Sequence, residues 1–129
     1  MSDPNQIRLG AFLRRRRIEK GLSVRREAEQ IAEQLGESVS SAYISDIENS
    51  RREPTDRILN ILCKILNLSA NDIEPYDARV PSQEMKEMAQ ANMNYGVAFR
   101  RLVSAIQTRE LTPEEILKRL DLNHGSSNS

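Results

Sequence analysis

Apolar residues recur three and four positions apart over most of the chain, the spacing of helices that bury one face. A first helix is predicted from about Asn5 to Lys20. Asp3-Pro4 is a suitable start, Ile7, Ala11, Leu13 and Ile18 are its apolar positions, and Gly21 ends it. Ser23 is placed to cap a second helix, in which Ala28, Ile31, Ala32 and Leu35 share a face and Gly36 supplies the terminator. After the link Glu37-Ser38-Val39 comes "SSAYISDIENSRREPT", where Ser40 caps a short helix whose Ile44 and Ile47 point one way. Pro54-Thr55 start a fourth helix. Its dense set of Ile58, Leu59, Ile61, Leu62, Ile65 and Leu66 marks it as the core of the domain. Ser69 begins a short fifth helix, with Asp72 three residues on as in a capping box.

The pattern then changes. Residues 75–81, "PYDARVP", hold two prolines and little periodicity, and are expected to link a domain at 1–74 to a helical segment at 82–122. Ser82 to Gln107 reads as one long helix. "LTPEEIL" restarts a helix with Thr112 as cap, Pro113 at the first position and Glu115 closing a capping box. Residues 123–129 are polar and expected to be unstructured.

In the long helix Met85, Asn92, Phe99 and Ile106 fall seven apart, with Met88 and Leu102 among the residues between. A seam of that period calls for a partner helix, so homodimerisation is the economical expectation, with Asn92 selecting register. The alternative is an intramolecular hairpin packed on the first domain. Gly96, costly inside a helix, points to close backbone approach or a bend.

Composition adds to this. Few aromatics, no tryptophan and much Ala, Leu, Ile, Glu and Arg favour an all-α fold. Basic and acidic side chains balance at 19 each, but they are segregated. Residues 1–26 hold eight basic and two acidic side chains, and residues 27–48 hold six acidic and no basic ones, so a neutral total hides a polarised surface. Cys63 is a lone cysteine within the fourth helix and reads as a small core residue. His124 is the one histidine, which leaves no His/Cys metal cluster and no convergent catalytic set. No cofactor and no enzymatic activity are expected. No apolar run is long enough to span a membrane, and no signal peptide pattern opens the chain, so a cytoplasmic location is expected.

What, then, is the stretch from Ser40 to Thr55 for? A helix fits the DNA major groove, about 12 Å wide, when its leading end is lean, and Ser40, Ser41 and Ala42 are lean. Their amides form a positive helix end that favours phosphate. Ile44 and Ile47 would brace the helix from behind, while Asn49, Arg51 and Arg52 follow where the chain leaves the groove. Spacing alone fits an ordinary amphipathic helix with a solvated face equally well.

The stretches "LGAFLRRRRIEKGLS", "IAEQLG", "VSSAYISDIENSRREPT" and "ILNILCKILNLSANDI" together resemble the phage-repressor/Cro helix-turn-helix family, also called XRE, over about residues 7–74. "YISDIENSRREP" is the most specific part. The resemblance implies a five-helix DNA-binding domain that docks on operators as a dimer. It places Ser40, Ser41, Ala42, Ser45 and Asp46 on the groove side, and Ser23, Tyr43, Asn49, Arg51 and Arg52 at phosphates. It also pairs Arg17 with Glu48 as a structural ion pair. The chain departs from the family pattern in three ways. The second helix and its turn are about six residues longer than usual. Arg16 stands where relatives carry leucine. Asp46 puts a carboxylate on the groove side, where it either accepts from a cytosine amino group or, the favoured alternative, turns to an arginine.

The resulting expectation is a sequence-specific regulator, a repressor binding double-stranded DNA at a palindromic operator with half-sites about one helical turn apart. The competing expectation is an antitoxin or adaptor that uses the same scaffold for protein contacts, and a protein partner or anti-repressor fits either.

Overall fold

The computed structural model describes residues 7–127, with side chains described through residue 121, and divides into two compact units, 1–79 and 80–129. Among the described residues it is all helical, without a strand.

In the first unit α1 spans Leu9–Glu19, α2 Val24–Leu35, α3 Ser41–Glu48, α4 Asp56–Leu66 and α5 Ala70–Ile73. Local chemistry sets most of these limits. The hydroxyls of Ser23, Ser40 and Thr55 accept from the backbone N–H of Arg26, Tyr43 and Ile58, satisfying a donor that each helix start would otherwise leave unpaired. Ser69 and Asp72 form a reciprocal capping box at α5, which holds the Asp72 carboxyl below its ordinary range through the Ser69 N–H and hydroxyl. Gly36 and Asn67 close α2 and α4 in the left-handed conformation.

Leu9, Phe12 and Leu13 of α1, Ala28 and Ile31 of α2, Ile44 and Ile47 of α3, six residues of α4 and Ile73 form one buried core. α4 supplies the largest share because its apolar residues outnumber its polar ones. Cys63 is half-buried on it, and burial, with Asp72 and Asp77 adding to the effect, pushes its thiol up.

Two expectations for this unit change. α1 starts at Leu9, so Asn5 and Asp3-Pro4 lie outside the described residues, and it buries Leu9, Phe12 and Leu13 while Ala11 and Ile18 face solvent. The stripe rotates because Gly10 meets α3 closely. A Cβ there would fall on the Ile47 carbonyl oxygen, so the two backbones touch. Residues 75–79, expected as a linker, are instead packed. Glu74–Tyr76 form a 3-10 turn, and Tyr76 stacks on Phe12 with ring centroids 4.2 Å apart. Arg79 donates to the Pro54 carbonyl and to the carboxylates of Asp56 and Asp77, which raises its own pKa and holds the Asp77 carboxyl low.

In the second unit α6 spans Ser82–Ala91, α7 Met93–Gln107 and α8 Pro113–Ser127. The single long helix expected here is broken at Asn92, whose φ of −153° and ψ of 113° are extended. Its side chain accepts from the Asn94 N–H, so Asn92 is a helix cap rather than a residue in a seam. α6 folds back on α7. The predicted seam is split accordingly, with Met85 and Met88 on α6 and Phe99, Leu102 and Ile106 on α7. Gly96 marks the close approach, since a Cβ there would lie 3.4 Å from the Ala89 Cβ. α8 runs past the expected tail boundary to Ser127, while Asn128 and Ser129 and the His124 side chain lie outside what is described. Neither α6 nor α7 has a buried residue, and Met88, Met93, Tyr95, Leu102, Val103, Ile106, Leu117 and Leu120 are all exposed.

Candidate nucleic-acid interface

α3 is fixed from behind. Ile44 and Ile47 are 1% and 2% exposed. Glu48 meets Arg17 of α1 through Nε to Oε2 at 2.7 Å and Nη2 to Oε1 at 3.0 Å, and Arg17 Nη1 also donates to the Leu22 carbonyl. One guanidinium thus ties α1, the turn into α2 and the last turn of α3. A buried pair of this kind tolerates little movement, because either charge left alone would be costly.

A third ionisable group joins it. Glu27 of α2, absent from the sequence expectations, is 1% exposed, and its Oε2 has no hydrogen-bond partner among the described residues. Burial first, then the Glu48 charge, pushes its carboxyl up to about 7, against a smaller opposite effect of Arg17. Glu27 thus feels the charges of the Arg17–Glu48 pair without bonding to Arg17, and a protonated Glu27 leaves the cluster neutral. Its position four residues before Ile31 was the available signal, since that spacing puts it on the buried face.

The opposite side of α3 is open. Ser40, Ser41 and Ala42 are exposed, and Ser45 and Asp46 are half-buried on the following turn. The Ser40 hydroxyl caps the helix, as the Ser23 hydroxyl caps α2, so both keep a proton to donate outward. Asn49 closes α3 with its side-chain amide donating to the Ser45 carbonyl. Asp46 turns to an arginine: its Oδ1 accepts from Arg51 Nε at 3.1 Å. Arg52 lies over the Tyr43 ring, 5.3 Å from its centroid. The structure thus gathers Tyr43, Asp46, Asn49, Arg51 and Arg52 around the closing turns of α3, and gathers Ser40 to Ala42 at its start.

The run Arg14 to Arg17 disperses, as a helix requires. Arg15 lies over Phe12, Arg16 pairs with Glu19 and Arg17 is buried, while Arg14 is exposed. The extra length of the second helix is an ordinary continuation, twelve residues to Gly36, and the acidic Glu29 on it is met by Arg25 and Arg26 of the same helix. No group of three or more His, Cys, Asp or Glu among the described residues is placed to hold a metal, and no described helix is long and apolar enough to cross a membrane.

Among solved structures the chain is similar to the clp gene regulator ClgR from Corynebacterium glutamicum, at 27% identity over 78% of this chain and 88% of that one, with a TM-score of 0.44. It is also similar to the SinR protein/SinI protein complex, at 19% identity over 94% of this chain and 99% of that one, with a TM-score of 0.45. No curated protein matches it. Residues 8–75, more than half of the chain, match the family described as Helix-turn-helix domain, and they span α1 to α5. The chain belongs to the helix-turn-helix domain family.

Proposed function

We propose that the protein is a sequence-specific repressor that binds a palindromic operator as a homodimer. The observation that carries the reading is the two-sidedness of α3, which is braced by Ile44, Ile47 and the Arg17–Glu48 pair and presents the slim, exposed Ser40, Ser41 and Ala42 on its other side. Major-groove entry uses such an edge, and Ser45 follows it one turn on. Ser23, Tyr43, Asn49, Arg51 and Arg52 supply hydroxyl, amide and guanidinium donors for the phosphates that flank it.

The homodimer rests on the second unit. A hairpin of α6 and α7 without a buried residue, carrying an exposed row of Tyr95, Leu102, Val103 and Ile106, cannot offset the cost of ordering its chain. Two such hairpins packed together bury the row. The same row suits a foreign helix, which keeps the antitoxin or adaptor reading as the second one.

Selection of bound sequences from a random duplex pool tests the proposal. The expected result is a two-fold symmetric site with half-sites about one turn apart, held with an affinity that falls steeply as salt rises. Retention that ignores both sequence and salt overturns the first reading. A chain that sediments as a monomer until a partner protein is added points to the second.

A further inference from the structure

Asp46 stands on the groove side of α3, where a free carboxylate would repel phosphate. In the structure it is not free. Its backbone carbonyl accepts from the N–H of both Arg51 and Arg52, at 2.8 and 3.2 Å, which folds the chain after α3 back over it. Its side chain then takes Arg51 through Nε alone, and that guanidinium makes no other hydrogen bond or ion pair among the described residues. The backbone thus holds Arg51 beside Asp46 before the side chains meet, so little chain freedom is lost in pairing them.

The chemistry of the fork matters. A guanidinium carries five N–H donors, and occupying Nε leaves the four on Nη1 and Nη2 as a paired edge. That edge matches two oxygens of one phosphate. We propose that Asp46 is a positioning residue: it reads no base, and it orients Arg51 so that the Nη edge grips a phosphate beside the recognition helix. The proposal rests on the DNA-binding reading above. Arg52, held over Tyr43 one turn earlier on α3, is steered separately, so the two arginines reach different points on the strand.

The test measures affinity for the selected operator with the full chain, across a salt series, for Asp46→Ala, Asp46→Asn, Arg51→Ala and Asp46→Ala combined with Arg51→Ala. Circular dichroism melting checks that each variant is folded. Asp46→Ala should bind about tenfold more weakly although it removes a repulsive charge, because Arg51 is no longer ordered. Asp46→Asn keeps an oxygen that accepts from Nε, and should restore binding to the original level or above. Arg51→Ala should flatten the salt slope by about 0.9 for each half-site, the value for one lost phosphate contact. The double variant should bind no worse than Arg51→Ala.

Three results overturn the proposal. Binding by Asp46→Ala as tight as the original, or tighter, identifies plain repulsion. Independent, additive losses from the two alanine changes separate the residues. A relaxed base preference at one position with Asp46→Ala, not shared by Arg51→Ala, makes Asp46 a base reader. If the unaltered protein binds no duplex even at low salt, this proposal and the DNA-binding reading fall together, whereas the first three outcomes leave that reading standing.

Discussion

The Arg17 guanidinium grips the Glu48 carboxylate through two hydrogen bonds, across 31 residues of sequence and inside the core. The pair locks α3 to α1. Glu27 makes the two partners unequal. Arg17→Ala leaves two buried carboxylates without a cation and should cost about 3–5 kcal/mol in urea unfolding. Glu48→Ala should cost less, because the Glu27 carboxyl remains near Arg17 and, freed of the Glu48 charge, can ionise to offset it. Equal losses would show that Glu27 does not take part.

Glu27 gives the stability a pH dependence of predictable sign. Its folded value of about 7 lies above its ordinary 4.5, so the folded state holds the proton more tightly than the unfolded chain. This group therefore costs nothing below about pH 4.5, destabilises increasingly as pH rises toward 7, and contributes a constant penalty above it. Glu27→Gln removes the charge and keeps the shape. It should stabilise the protein by up to about 3 kcal/mol at pH 8, with little effect at pH 4.5, as read by denaturation at the two pH values.

Gly10→Ala tests the contact between α1 and α3. Its new methyl would fall on the Ile47 and Glu48 carbonyl oxygens, which are backbone atoms without rotamers to escape by. A loss of at least about 2 kcal/mol, with weakened DNA binding from a displaced α3, is the expected outcome. Alanine is the better helix former, so a stabilised variant would contradict the close approach.

Ser50 has φ of +60°, a conformation that costs a side-chain-bearing residue energy. Ser50→Gly should raise stability by about 0.5–1 kcal/mol without moving the turn that carries Arg51 and Arg52. Thermal unfolding measures it, and unchanged operator affinity shows that the turn has kept its shape.

Charging the row on α7 tests assembly. Leu102→Lys and Ile106→Lys should convert a dimer to monomers in sedimentation and lower operator affinity at dilute protein, while leaving the melting of the first unit unchanged.

Much of this architecture was legible because its determinants are local. Ser23, Ser40, Thr55, Ser69 and Gly36 act within a few residues of themselves, and the dense apolar face of α4 has one way to turn. The misread parts depend on distant partners. On α1 apolar residues are few and four arginines spread polarity around the axis, so the touch of Gly10 on α3 and the Tyr76 ring stacked on Phe12 decide that Phe12 is buried and Ile18 is not. Tyr76 and Arg79 look like linker residues until Phe12, Pro54 and Asp56 arrive from elsewhere in the chain. At the interface, the turn of Asp46 toward an arginine follows from a five-residue separation, whereas the burial of Glu27 reflects three helices at once.

The break at Asn92 also fixes a length. Unbroken, residues 82–107 would form a rod of about 39 Å, longer than one turn of duplex; folded, the longer arm reaches about 22 Å. One cap thus turns a far-reaching strut into a compact knob. Any two copies joined through this hairpin are joined over a short span.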